Sequence, residues 1–160
     1  MTIVDHGSAQ HLFGEVHARQ GYASIDVQIT SAQLLALFAT PVQLVAAPGA
    51  GKALIFNGMF IDKPAGVAYA GIAAGEDLSV KYTDASGAEL GRCETTGFLD
   101  STADQIRWID EYHAASGVSQ ITPVANAALV LHLLVAEIIT GDSPLNCKVF
   151  YRVVPTTFTF

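Results

Sequence analysis

The hydrophobic pattern is strongest between residues 126 and 154. Residues 126–138, NAALVLHLLVAEI, are apolar apart from Asn126, His132 and Glu137. Gly141, Asp142, Ser143 and Pro144 follow with turn chemistry: Gly tolerates positive φ, Asp and Ser bond nearby backbone, and Pro fixes φ. Beyond them, Leu145, Cys147, Val149, Tyr151 and Val153 share one parity against Asn146, Lys148, Phe150 and Arg152. That period of two predicts a strand with one buried face. Together the two runs predict a central hairpin with the sheets built around it, although the first run is also long enough for a buried helix.

Upstream, residues 23–30 alternate Ile25, Val27 and Ile29 against Asp26 and Gln28, a half-buried strand. Thr30-Ser31-Ala32-Gln33 has the capping-box pattern, so Leu34, Leu35, Leu37 and Phe38 are placed on one or two helical turns ended by Thr40-Pro41. A short strand at 41–46 and a turn at Pro48-Gly49-Ala50-Gly51 come next. Residues 52–63, KALIFNGMFIDK, are apolar on both parities. This predicts a strand covered on both sides, by its own chain or by another subunit, with Gly58 marking a bulge. Residues 65–72 read as a short strand, and 77–83 and 88–95 as a hairpin closed by Asp84-Ala85-Ser86-Gly87.

Residues 100–113 break the alternation and predict a helix, with Ile106, Ile109 and His113 on one side and Trp108 beside Tyr112. A short strand is expected at 118–123. Residues 1–22 are aperiodic, with Gly7, Gly14 and Gly21, and read as an arm that orders only against a partner. The remaining chain, 23–160, reads as one all-β domain: a sandwich, a jelly roll or a related two-sheet fold.

Composition adds an association signal. Hydrophobic residues make up 51% of the 160 and charged residues only 14%, which favours subunits that cover one another. The net charge of −7, without any basic cluster, argues against nucleic-acid binding. Every apolar run is too short for a membrane-spanning helix, and the first residues lack a signal-peptide pattern, so synthesis in a cytoplasm is expected. Cys93 and Cys147 fit no metal-site spacing and read as buried free thiols.

Candidate chemistry is sparse. Residues 48–52, PGAGK, lack the spacing, the hydroxyl after Lys52 and the following helix that a phosphate loop needs. His6, His11 and His17 are spaced wrongly for ligands on one helix face. Asp110, Glu111, His113 and Ser116 crowd one segment, but no nucleophile elbow accompanies them, and a solvated helix face accounts for them. His132 and Glu137 read as intersubunit contacts or strand-end groups. Trp108 with Tyr112 would make a sugar platform, although core packing is the simpler role. No enzyme and no cofactor is expected.

Several segments resemble a group of small tailed-bacteriophage virion proteins: ITSAQLLALFATPVQLVAAPGAGKALI, VAYAG, LSVKYTDASGAEL, TGFLDST and NAALVLHLLVAEIITGDSPLNCKVFYRVV. These span about residues 29–154 and consist of turns and strands rather than reactive groups. The resemblance is to capsid decoration (cement) proteins, and it implies a jelly-roll-like trimer on the capsid exterior that clamps the major capsid protein beside neighbouring decoration trimers. The expected contact residues are Leu12, Phe13 and Val16 in the arm, Phe56 and Phe60 on the two-sided strand, and Phe158 and Phe160 in the tail. A tail or baseplate protein, or a carbohydrate-binding jelly roll, is the alternative.

Overall fold

The computed structural model describes residues 22–111 and 122–157. These residues form β1 (Tyr22–Ile29), α1 (Ser31–Leu35), β2 (Val42–Val45), β3 (Lys52–Lys63), β4 (Asp77–Tyr82), β5 (Glu89–Glu94), β6 (Gln105–Ile109), β7 (Leu129–Leu133) and β8 (Leu145–Pro155). The strands make two four-stranded antiparallel sheets, ordered β1-β8-β3-β6 and β2-β7-β4-β5. The winding is that of a jelly roll. Pairs β1/β8, β2/β7, β3/β6 and β4/β5 follow one antiparallel ribbon, folded back after β4 and wrapped so that successive pairs alternate between the sheets.

Each inner face is supplied by alternation. Ile29, Leu145, Cys147, Val149 and Ile109 from the first sheet meet Leu78, Val80, Tyr82, Leu129, Leu131 and Leu133 from the second. The Tyr82 hydroxyl reaches across the sandwich and donates to the Leu54 carbonyl. Thr30 caps α1 as its sequence predicts: its hydroxyl accepts from Gln33 N while Gln33 Oε1 accepts from Thr30 N. The 84–87 turn also forms, with Asp84 Oδ1 accepting from Ser86 N and Gly87 N donating to the Asp84 carbonyl.

Strand β3 is not covered on both sides by its own chain, since Phe60 is 48% exposed. The register against β8 slips between Phe56 and Gly58, and Gly58 has φ +128°. Before this bulge Leu54 and Phe56 point inward; after it Met59 and Ile61 do. The inward parity therefore inverts mid-strand, so one buried face takes Leu54 and Phe56 from one parity and Met59 and Ile61 from the other. Phe56, expected as a contact residue, is 2% exposed and belongs to the core.

The central hairpin is also corrected. Only Leu129–Leu133 of the long apolar run pairs as a strand, and β7 and β8 lie in different sheets. The Gly141–Pro144 turn belongs to a long crossover between them. All five residues of β7 are buried, and on its outward side Phe38 stacks on His132. The helix expected at 100–113 is instead strand β6, paired with Met59–Lys63 of β3. Asp104, just before the strand, accepts a hydrogen bond from Ala65 N. Residues 65–72 contribute only a bridge, Ala70 to Ile139. Residues 118–121 lie outside the described residues, and Thr122 and Pro123 are not in a strand. Tyr22, assigned to the arm, already pairs with Arg152 in β1.

Cys93 and Cys147 are free, buried and in opposite sheets. Burial raises both thiols, that of Cys147 to about 12, which keeps them protonated and unreactive.

Candidate functional site

Four connections meet at one end of the sandwich: 30–41, 64–76, 95–104 and 134–144. Acidic side chains tie them together by accepting backbone N–H groups. Glu76, wholly buried, accepts from Val135 N at 3.0 Å and Ala136 N at 2.8 Å. Glu137 accepts from Phe38 N and Ala39 N, and Asp142 Oδ1 from Val67 N at 2.7 Å. Tyr69 donates its hydroxyl to the Ser143 carbonyl at 2.6 Å. Its ring lies where a Cβ on Gly141 (φ +93°) would stand, so that position needs glycine. Burial, then the nearby Asp142 charge, raises the Tyr69 hydroxyl to about 12, so it remains a donor.

This locked end displays apolar side chains. Phe38 (37% exposed), Val67 (57%), Val135 (45%) and Ile139 (60%) face solvent. Each has its own backbone N–H fixed by a different loop: Phe38 by Glu137, Val67 by Asp142, Val135 by Glu76, and Ile139 by the Ala70 carbonyl. Pre-ordering of this kind reduces the entropy lost on docking.

A second surface lies on the outer face of the first sheet. Cross-strand registers arrange it in rows. One row runs Gln28, Asn146, Asp62 and Ile106; the next runs Asp26, Lys148, Phe60 and Trp108. Phe60 and Trp108 pack with ring centroids 4.6 Å apart, and Phe150 approaches both. Gly58 allows this, because its missing Cβ would sit 2.2 Å from the Trp108 ring. Trp108 is therefore a surface group on β6, at 43% exposure, rather than a core residue. In the polar row Gln28 Nε2 donates to Asn146 Oδ1, and Asn146 Nδ2 to Asp62 Oδ2. Lys148 pairs with Asp26 at 3.1 Å.

His132 is internal, not an intersubunit contact. Its Nε2 lies 3.0 Å from the Phe38 carbonyl, which only accepts, so Nε2 carries the proton. Burial, and then Lys81, push its pKa below the ordinary 6.5, against the Phe38 carbonyl, Glu76 and Glu137. The unfolded chain therefore takes up this proton first as pH falls. Stability contributed here is complete above about pH 6.5 and declines below it until the folded state titrates too. Urea midpoints at pH 7.5 and 5.5 should show the decline, and His132→Gln should flatten it; an equal slope in the variant would assign the decline to other groups.

Elsewhere the structure assembles little chemistry. No His, Cys, Asp or Glu cluster suited to a metal occurs among the described residues. Asp110 accepts from Glu111 N, and His113 and Ser116 lie outside the described residues. The 48–52 segment is a turn, with Gly49 N donating to Asn126 Oδ1 and a strand following. Of the expected contact residues, Phe60 is on the sheet face at 48% exposure and Phe56 is in the core. Leu12, Phe13, Val16, Phe158 and Phe160, like Tyr112, lie outside the described residues. Val67 and Val135 are not singled out by pattern, since each sits in a segment that reads as a strand, and Ile139 falls between the apolar run that ends at 138 and the turn that begins at 141. Compared with family models, curated proteins and solved structures, the chain matches none of them.

Proposed function

We propose that the protein is a structural virion component that binds the outside of a phage capsid as a homotrimer and stabilises the lattice. The supporting observation is the locked loop end, where four exposed apolar side chains stand on backbone already fixed by neighbouring loops. Such a surface suits docking onto a protein shell: apolar area supplies the affinity, and little ordering remains to oppose it. Segments resembling decoration proteins include the residues that build this end, Gly141, Asp142 and Ser143 among them. In this reading Phe38, Val67, Val135 and Ile139 meet the major capsid protein, and the arm with Leu12, Phe13 and Val16 adds a second contact. Binding only to the assembled shell stabilises that shell by mass action.

The test uses purified protein and empty capsids. The protein should sediment as three chains and raise the melting temperature of the shell. Val67→Asp with Ile139→Asp should weaken capsid binding by tenfold or more, because roughly 1.4 kcal/mol of lost apolar contact accounts for each factor of ten. Both side chains are exposed, so the melting temperature of the free protein should hardly change. Binding to tails and not to capsids, or unweakened binding by the double variant, would overturn the proposal.

A further inference from the structure

The outer face of the first sheet takes no part in that docking reading, yet its rows combine two kinds of group. A hollow of about 410 Å³ opens there, lined by Asp26, Gln28, Phe60, Asp62, Asn146 and Lys148. We propose that this hollow is a binding site for an uncharged oligosaccharide, with a sugar ring stacked on the Phe60–Trp108 edge and its hydroxyls on the Gln28–Asn146–Asp62 row.

Hydrogen-bond polarity selects the ligand. The row runs in one direction, Gln28 to Asn146 to Asp62, and its hydrogen bonds occupy Asn146 Oδ1 and Asp62 Oδ2. Asp62 Oδ1 and Gln28 Oε1 remain as acceptors, and the second amide protons of Gln28 and Asn146 remain as donors. A ligand filling this row must both donate and accept at closely spaced points, which hydroxyl groups do. Charge narrows the choice further. Lys148 is already matched by Asp26, so Asp62 leaves the hollow with a net negative charge that repels phosphate and acidic sugars.

Shape agrees with this chemistry. The polar row and the aromatic row are neighbours on one face, two residues apart along each strand, or about 6.7 Å. A ring lying on Phe60 thus places its edge over Asn146 and Asp62. Gln28 and Asp62 are two strand spacings apart, roughly 10 Å, a span that favours more than one sugar unit. Apolar ring faces gain from the exposed aromatics, and the hydroxyls replace water on side chains that are already ordered.

Trp108 is the only tryptophan, so its emission reports directly on this surface. The full-length protein would be screened on an array of neutral gluco-, galacto-, manno- and N-acetylhexosamine oligosaccharides. Titration with maltotriose, cellotriose and triacetylchitotriose would follow Trp108 emission. A saturable emission change is expected with at least one class. Asp62→Ala and Asn146→Ala should each weaken it by about tenfold, while Phe60→Ala abolishes it. The melting temperatures of the Asp62 and Asn146 variants should stay near that of the parent protein. The proposal is overturned if no neutral saccharide is retained or changes the emission, or if a saccharide binds the Asp62 and Asn146 variants as tightly as the parent. Capsid binding by Val67 and Ile139 is measured separately, so either reading can fail without the other.

Discussion

Replacing Gly58 by alanine is expected to lower the melting temperature by roughly 5–10 °C. A φ of +128° is nearly inaccessible to a residue with a side chain, and holding it there costs about 1–3 kcal/mol. The new methyl group would also stand 2.2 Å from Trp108 Cζ2, so the indole must leave its place against Phe60 and Phe150. For a domain of this size each kcal/mol moves the midpoint by about 2–4 °C. The Trp108 emission should shift to the red in the same variant as the ring becomes wetter. Comparing Gly58→Ala with Gly58→Ala/Trp108→Ala separates the two costs, because the double variant keeps the backbone strain but removes the collision. An unchanged midpoint and spectrum would show that the bulge is not needed to hold the sheet.

The second large effect is expected at Glu76. Its carboxyl group is wholly buried and accepts from two backbone N–H groups of the β7–β8 connection. Glu76→Ala leaves the Val135 and Ala136 amides without that partner at a partly buried position, beside the space the carboxyl group filled. At about 1–3 kcal/mol for each orphaned group, with a cavity added, a loss of roughly 3–5 kcal/mol follows. Glu76→Gln keeps the shape but turns an NH2 toward one of the amides, so an intermediate loss is expected. Hydrogen exchange should quicken at Val135 and Ala136 before it does in β4. Exchange at those two amides no faster than in the parent protein would mean that the carboxyl group is not what locks this loop.

Strands whose outward residues are polar were legible in the sequence. In β1, Asp26 and Gln28 frame Ile25, Val27 and Ile29, and in β4 Ser79 and Lys81 separate Leu78, Val80 and Tyr82. Alternation failed where the outward face is itself apolar. Strand β6 sends Ile106 and Trp108 outward and Ile109 inward, so the spacing of Ile106 and Ile109 imitates one side of a helix. In β3 the bulge inverts the parity, and a strand with one buried face reads as having two. Strand β7 reads as continuous because Phe38 covers His132 from a loop nearly a hundred residues away, which no local window contains. Turn chemistry misled for a different reason. Gly141, Asp142 and Ser143 look like the tip of a hairpin, yet their partners are Tyr69 and Val67, so they fasten one crossover to another.

The candidate surfaces were only half visible for the same cause. Phe60 stood out because its strand did. Val67 reads as part of a short strand, and its exposure follows from Asp142, a carboxyl group distant in sequence, fixing where its loop lies.

The ribbon winding sets an order of assembly. Strands β4 and β5 are joined by a short turn and can pair as soon as 84–87 bends. Strands β1 and β8 meet only across 122 residues of separation, as the Asp26–Lys148 contact records. Closing so long a loop is opposed by chain entropy until the intervening pairs β3/β6 and β2/β7 have shortened it. Zipping from the tip of the ribbon toward its open end is the expected order, which the effects of strand variants on folding rates would check. Before that end closes, the outward row that holds Asp26 and Lys148 does not exist, and β8 lies along the sheet with an edge unpaired.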